Sequence, residues 1–280
     1  MEKRYVFYVL IIIVCIIALC VGVYAQLFYE NSDDKLMIGM SNISIQAQNS
    51  TEEEKRKTEF NNLFENKLVY LSNNINNKAT RIVMGKDLIY TNNQVSKVEK
   101  DKYEVNINIP IVNINSNVAK QINEQIEQIF LQKAATILSN NIEMYTIYSV
   151  DYIGYVNNNI LSLVIKSNLK EGENPQRVIF MTYNYNLDTG KTVSLDELLS
   201  QKKITVANLQ NKINKEIKEI SKKTEDLKNI GYSVYTRNPD DNMYKVENTT
   251  LYFLGEDNYI YILYAYGNSN NTSEVDVIVT

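Results

Sequence analysis

The residue types that most enzymes use for acid–base or metal chemistry are scarce in this 280-residue chain. It contains no histidine, the usual general base near neutral pH and the commonest protein metal ligand. Ser-His-Asp triads, Cys-His pairs and histidine-bound zinc centres are therefore excluded. The only cysteines, Cys15 and Cys20, lie in an apolar run, so the rest of the chain has neither a disulfide nor a thiolate nucleophile. We predict no catalytic residue, no metal and no cofactor, and expect a protein that is not an enzyme.

Two tight carboxylate clusters remain that could do chemistry. Asp240 lies next to Asp241, and Glu256 lies next to Asp257. Paired carboxylates in a cleft can act as acid and base, but a calcium loop needs more oxygen ligands at fixed spacings than either cluster supplies. We interpret both as acidic turn residues, with a carboxylate enzyme as a third hypothesis.

Tyrosine is the residue type with the most potential for recognition, since the chain has 21 of them. Its large rigid ring with a polar tip suits protein-recognition surfaces and sugar contacts, and it is also an ordinary half-buried strand residue. We expect most tyrosines to pack and one patch to remain exposed. The candidate ligand-binding residues crowd two segments: Tyr183, Tyr185, Tyr261, Tyr264 and Tyr266.

An uncharged apolar run extends from residue 5 to residue 25. As a helix it would span roughly 30 Å, the thickness of the hydrocarbon core of a bilayer. Lys3 and Arg4 precede it and acidic residues follow it, so the positive-inside bias predicts a cytoplasmic N-terminus and an extracellular C-terminal domain. A cleaved signal peptide is the alternative, although its apolar region would be shorter.

These features divide the chain into a cytoplasmic stub (1–4), a single transmembrane anchor in the cell membrane (5–25), a polar stalk (26–50) and an extracytoplasmic domain (51–280). Two subdomains, about 51–200 and 201–280, are an alternative to one domain.

Hydrophobic periodicity predicts an α+β fold for the domain, with antiparallel sheets and two principal helices packed on one face. Period-2 alternation predicts strands at 103–111, 145–155, 160–166, 178–187, 251–254, 259–266 and 275–279. In this alternation Asn108 falls on the polar face of its strand and Ile179 on the apolar face of its own. Three successive asparagines, Asn157 to Asn159, predict a hairpin loop between the second and third of these strands. Helical signals predict helices near 51–64, 116–139, 194–199 and 206–222. The buried stripe of the second helix should contain Val118, Ile122, Ile126, Ile129 and Leu138.

Several segments in this order carry a family resemblance: 103–110, 122–126, 183–191 with its Asp-Thr-Gly turn, 194–199, 264–268 and 272–277. Together they resemble the extracytoplasmic domain shared by lysozyme-sensing anti-sigma-V factors and some membrane-anchored peptidoglycan deacetylases of Gram-positive bacteria. The likeness covers roughly residues 60–280 and implies an outer module that is not the catalyst. The residues matching the family pattern, expected to be structural, are Asp188, Gly190, Leu195, Leu198, Gly267 and Asn268.

The chain departs from that family in two respects. Only four residues precede the apolar run, and the metal histidines of a deacetylase are absent. No lysozyme-contacting residue can be matched, so lysozyme binding is not implied.

The sequence thus predicts a non-catalytic, membrane-anchored extracytoplasmic binding or sensing module for a protein or peptidoglycan-fragment ligand. The alternative is a structural subunit of a cell-envelope membrane complex. The net charge of −4 argues against nucleic acid as a partner.

Overall fold

A computed structural model describes residues 52–64, 69–71, 79–139, 143–268 and 270–280 of the protein. The predicted stub, anchor and stalk lie outside these residues and stay predictions. Within the described segments, no helix combines the length and apolar character needed to cross a bilayer. Everything described falls within one compact unit, Ile45–Thr280.

The larger sheet contains the strands β1 (Val69–Leu71), β2 (Ile89–Glu99), β3 (Tyr103–Val112), β4 (Thr146–Asn157), β5 (Ile160–Glu171) and β6 (Arg177–Asn186). Their order in the sheet is β2-β3-β4-β5-β6, and β1 pairs separately with β4. Most of its ladders are antiparallel, as predicted. The β3–β4 pair is parallel, because a helical segment crosses over between these two strands.

The hairpin between β4 and β5 confirms the turn predicted around three successive asparagines. Asn158 and Asn159 have φ angles of 49° and 61°, the left-handed pair that a two-residue type I′ turn requires. Asparagine tolerates the left-handed region better than most other side chains, so the local sequence favours this turn.

The crossover helix is continuous but changes its winding. Helix α1 is Glu52–Asn62, and the crossover runs through α2 (Asn117–Ile126), a π-helical turn (Glu127–Leu131) and α3 (Gln132–Leu138). Ser116 caps α2 by accepting a hydrogen bond from the Ala119 N–H at 3.1 Å.

The π turn makes one residue of the predicted stripe wrong. Ile122 and Ile126 are buried, but Ile129 is 41% exposed and Phe130 takes its place in the core. A π turn holds more residues than an α turn and therefore rotates the following side chains around the helix axis.

The smaller sheet contains β7 (Tyr252–Leu254), β8 (Ile260–Tyr266) and β9 (Glu274–Val279), all antiparallel. Two further helices precede it, α4 (Leu195–Lys202) and α5 (Val206–Asn229). Helix α5 continues beyond the predicted end at residue 222, and its N-cap is Thr205. The α+β class is confirmed.

Three apolar clusters organise these elements into layers. One face of the larger sheet packs on the crossover helix, and its other face packs on α1 and the smaller sheet. The outer face of the smaller sheet packs on α4 and α5. Neighbouring residues of strand β8 face opposite layers: Ile262 packs in the cluster with α4 and α5, and Leu263 packs in the cluster between the two sheets. Each principal helix thus lies on one face of its own sheet.

Burial on both faces of the larger sheet alters the exposure expected from simple alternation. Ile179 of β6 was predicted to face the core but is exposed, whereas Phe180 and Asn184 are buried. Asn108 of β3 was predicted on the polar face but is buried, and its Nδ2 donates to Asp151 Oδ1 at 3.0 Å. Alternation assigns one buried face, and this sheet has two.

Candidate functional site

The five candidate tyrosines do not form one exposed patch. Tyr185, Tyr261 and Tyr264 are buried, and Tyr183 and Tyr266 are half-buried. They belong to all three apolar clusters, because they alternate between faces along their strands. The structure therefore places most of them in the packed interior.

The hydroxyl groups of the β6 tyrosines tie the larger sheet to its helix. Tyr185 donates to Ser116 Oγ at 3.2 Å, and Tyr183 donates to Gln125 Oε1 at 3.3 Å. Desolvation by burial raises the pKa of Tyr183 to about 12 and that of Tyr264 to about 12. Both remain neutral at physiological pH, which suits packing and hydrogen bonding.

The residues of the predicted family pattern have clear local roles. Gly190 adopts φ +72° in the turn after β6, which a side chain would strain. The Asp188 carboxylate accepts from Asn159 Nδ2 at 2.8 Å, joining this turn to the β4–β5 hairpin. Leu195 and Leu198 of α4 are buried against the smaller sheet.

The acidic residues considered for catalysis act in turns. Asp257 accepts from Tyr261 Oη at 2.7 Å and pairs with Arg56 of α1, so its carboxylate is already occupied. Asp241 accepts from Asn238 in a tight turn, and the Asp240 N–H donates to the same asparagine. In the described part of the chain, no group of three or more potential metal ligands converges.

A different feature stands out on the surface, the loop of residues 80–88 before β2, which we call the Ile82 loop. Its tip exposes Ile82 (57%), Val83 and Met84 (81%) side by side. Burying one such side chain is worth about 1.5–3 kcal/mol, so a partner that covers these three consecutive residues would gain free energy that folding has not used.

The Ile82 loop is nevertheless held firmly, by Asn113 at the end of β3, a residue only 1% exposed. Asn113 Oδ1 accepts from the Val83 N–H at 2.8 Å, and its Nδ2 donates to the carbonyls of Val83, Lys86 and Asp87. The Asn115 N–H also donates to the Thr80 carbonyl at 2.7 Å. A buried amide therefore fixes an irregular backbone whose apolar tip faces solvent.

An open groove of about 570 Å³ adjoins this tip. Ile82 forms one wall, and the first turns of α2 form the other with Asn117, Lys120 and Glu124. Lys120 and Glu124 lie 3.8 Å apart as an exposed ion pair, which contributes little to stability and can rearrange for a ligand. Arg81, Lys86 and Asp87 flank the tip, so its surroundings carry both signs of charge.

A second irregular segment, residues 230–237 after α5, is held by Arg237, which is 4% exposed. Arg237 makes a two-pronged contact with Asp276, at 2.9 and 2.8 Å, and a further ion pair with Glu274. Its guanidinium also lies 4.4 Å from the ring centroid of Tyr266. Hydrogen bonds and charge attraction from both carboxylates outweigh desolvation and raise the pKa of Arg237 further above its already high usual value.

Asp276 extends this network to two tyrosines. It accepts from Tyr266 Oη at 2.8 Å, and the hydroxyls of Tyr266 and Tyr244 are 2.8 Å apart. Burial and the charge of Asp276 raise the pKa of Tyr266 well above its usual range. Tyr266, predicted as a ligand-binding residue, is thus part of the hydrogen-bond network around Arg237 and Asp276.

No sequence pattern predicted a functional role for Ile82, Met84 or Asn113. A weak signal exists, because Ile82-Val83-Met84 is an apolar run too short for an element and ends at Gly85, which has φ +80°. Nothing in the sequence pairs that run with Asn113, which is 30 residues from Val83.

Comparison with known proteins yields only distant structural similarity. No protein-family model matches the sequence, and no curated protein matches it. Two solved structures of DUF3298 family proteins are similar. One, from Pseudomonas aeruginosa PAO1, shares 13% identity over 68% of this chain and 87% of its own, with a TM-score of 0.36. Another, from Bacteroides fragilis NCTC 9343, shares 12% identity over 73% of this chain and 91% of its own, with a TM-score of 0.37. Similarity at this level carries no argument about activity.

Proposed function

We propose that this chain is a non-catalytic, membrane-anchored extracytoplasmic binding or sensing module whose ligand is a protein that contacts the Ile82 loop. The observation that carries the proposal is the combination of an exposed apolar tip with a buried asparagine that holds it. A loop positioned by a rigid scaffold loses little conformational entropy on binding, which favours affinity.

The shape and charge of the tip favour a protein over a wall polymer or a lipid surface. Ile82, Val83 and Met84 project outward, so the ligand must supply an apolar recess, as protein surfaces do. The mixed charges of Arg81, Lys86 and Asp87 would not select an anionic polymer or an anionic bilayer. Aliphatic side chains also lack the hydrogen-bonding groups that select a glycan.

The test is photo-crosslinking in intact cells with a photoreactive amino acid at position 84 of the full-length chain. Position 144 is the matched control, because Met144 is also an exposed methionine on the described surface. A discrete protein adduct from position 84 alone, abolished by Ile82→Asp, supports the proposal. No adduct, or the same adducts from both positions, contradicts it.

The alternative, a structural subunit of an envelope complex, would use the same tip for a permanent contact. The stoichiometry of the adduct separates the two readings. With a transient ligand, the amount of adduct depends on how much ligand is present. A permanent partner co-purifies with the protein in a constant ratio under every growth condition. The predicted anchor is tested separately, by protease added to intact wall-stripped cells, which must degrade the domain if it is extracytoplasmic.

A further inference from the structure

Strand β2 forms one edge of the larger sheet, and its outer side is open. It pairs with β3 on one side and ends the strand order there. In the described part of the chain, no hydrogen bond joins the backbone of residues 90–98 to anything except β3. Because donors and acceptors alternate along an edge strand, every second residue of this stretch turns an unpaired N–H and C=O outward.

The opposite edge strand of the same sheet, β6, is closed by other parts of the chain. The Val193 N–H donates to the carbonyl of Asn184 at 2.9 Å. The Ser273 N–H donates to the carbonyl of Gln176, the residue before β6, also at 2.9 Å. The fold thus covers the backbone of one edge and leaves that of β2 uncovered.

Strand β7, at an edge of the smaller sheet, is closed by side chains. The Tyr252 N–H donates to Thr182 Oγ1 and the Leu254 N–H donates to Ser162 Oγ, both at 3.2 Å. The Tyr252 carbonyl accepts from Asn184 Nδ2 at 2.9 Å. Edge groups are satisfied within the chain at both β6 and β7, so the open edge of β2 is a distinct feature.

Strand β2 also carries few of the features that prevent an edge from pairing with another chain. Proteins usually protect an edge strand with prolines, charges, a short length or a bulge. β2 has 11 residues, contains no proline and is uncharged from Tyr90 to Ser96. A bulge interrupts its ladder between Thr91 and Asn93. From Asn93 to Glu99 the register is unbroken, over a length of about 20 Å.

We propose that the protein ligand of the Ile82 loop also adds an extended segment to β2 as a further strand of the sheet. The inference rests on the proposed function, because β2 begins at Ile89, directly after the Ile82 loop, so one ligand can contact both. A polypeptide backbone has N–H and C=O groups at the spacing of a strand edge, whereas a glycan or a lipid surface does not.

The side chains beside the open edge indicate what the added strand carries. Gln94, Ser96 and Val98 alternate along β2 and are all exposed. Residues that lie opposite each other on one face of a sheet contact each other. The added strand should therefore place polar side chains beside Gln94 and Ser96, and an apolar one beside Val98, which is 67% exposed.

A second copy of this chain fits the open edge less well than a different protein does. Two β2 strands paired antiparallel about Gln94 would place each Ile82 loop beside residues 100–102 of the other copy. These residues are Lys100, Asp101 and Lys102, all charged, and they offer no apolar recess for Ile82 or Met84. A different protein can supply both the recess and the strand.

The test is photo-crosslinking in intact cells with a photoreactive amino acid at position 94 of the full-length chain, in parallel with position 84. Gln94 is exposed on the open edge. Position 177 is the matched control, because Arg177 is exposed on β6, the closed edge of the same sheet. We expect position 94 to give the same protein adduct as position 84, identified by mass spectrometry, and position 177 to give none.

Proline substitutions test whether backbone hydrogen bonds hold the added strand. Ser96 and Lys97 are exposed neighbours, so the N–H of one faces β3 and that of the other faces outward. Of Ser96→Pro and Lys97→Pro, the variant that loses the outward N–H keeps the β2–β3 ladder and unfolds at the normal temperature. That variant should reduce the adduct from position 94 about tenfold or more, because a hydrogen bond is lost and the ring obstructs the added strand.

Ser96→Ala and Lys97→Ala keep both N–H groups and should leave the adduct unchanged. Undiminished crosslinking in the stable proline variant overturns the inference. If both proline variants lose stability, the comparison of positions 94 and 177 decides alone.

The two proposals fail in different ways. An adduct from position 84 with none from position 94, or the same adduct from positions 94 and 177, overturns this inference and leaves the proposed function intact. An adduct from position 94 that contains two copies of this chain also overturns it, because β2 then pairs with itself. No adduct from position 84 contradicts the proposed function and, with it, this inference.

Discussion

The Ile82 loop and the segment of residues 230–237 use the same structural device with different chemistry. Each is an irregular stretch with exposed apolar side chains, and each is held by one buried polar residue. Asn113 holds the first by hydrogen bonds to backbone groups alone. Arg237 holds the second with a charge balanced by Asp276 and Glu274.

These two regions show that a buried polar residue can hold an exposed segment rigid while its apolar side chains remain uncovered. A neutral amide needs only backbone partners, so removing it leaves unsatisfied dipoles. A buried guanidinium needs carboxylates, and removing it leaves uncompensated charges, which is the more costly defect. The two regions should therefore respond to mutation and to pH in different degrees.

Arg237→Met should produce the largest effect. The variant leaves Asp276 and Glu274 without their cation, and loss of one partner of a buried ion pair costs about 3–5 kcal/mol. Urea unfolding of the domain measures this cost. Arg177→Met, at an exposed arginine on β6, is the control and should change stability little. An equal loss in the two variants would show that the Arg237 network has no special role.

Asn113→Ala should have the next largest effect, about 1–3 kcal/mol, because the N–H and carbonyl groups of the Ile82 loop lose their partner. Hydrogen exchange should also accelerate in residues 80–88. Asn106→Ala, on the exposed part of the same strand, is the matched control. Unchanged exchange in the loop would mean that Asn113 does not hold it.

Alkaline pH should lower the stability of the fold, and Tyr264 in the smaller sheet should make one measurable contribution to this loss. Burial raises the pKa of Tyr264 to about 12, whereas in the unfolded chain a tyrosine ionises near its ordinary value of 10.0. This group therefore stabilises the fold fully below pH 10. Its contribution falls by about 1.4 kcal/mol per pH unit above that point and is lost by about pH 12.

Unfolding free energies at pH 8, 10 and 11 measure this loss. Tyr264→Phe should make the fall less steep, because phenylalanine does not ionise. Asn113 has no titratable proton, so its contacts with the Ile82 loop carry no such pH dependence of their own. An equally steep fall in Tyr264→Phe would contradict a contribution from Tyr264.

Met84→Ser should have the smallest effect on folding, within about 0.5 kcal/mol, because the side chain is exposed and makes no core contact. The same change should nevertheless weaken the crosslinked contact at the Ile82 loop. A large loss of stability in this variant would show that the tip packs against part of the protein and is not a free surface.

Local sequence patterns predicted much of the fold. Alternation located β3, β6, β8 and β9, and the asparagines before Ile160 predicted the β4–β5 hairpin. Strand β2 was missed because its polar residues outnumber its apolar ones and little of its surface is buried. The π turn was missed because Ile126-Glu127-Gln128-Ile129 fits an ordinary helical stripe, and only packing decides that Phe130 is the better core residue.

The candidate site was less predictable. Tyrosines were identified as recognition residues by type, but burial depends on which faces of a sheet are covered, and both faces of the larger sheet are. Tyr185 and Tyr264 are therefore core residues. Asn113 and Arg237 gave no signal, because their importance comes from partners about 30 or more residues away.

The sequence by itself determined the α+β class, the main strands and helices, their turns and caps, and the absence of histidine chemistry. These depend on side-chain period, on left-handed backbone positions and on composition, all of which are local. Only the tertiary structure decided which apolar side chains stay outside and which polar ones go inside. That choice depends on layers of distant segments competing for the same contacts, and no window of neighbouring residues contains that information.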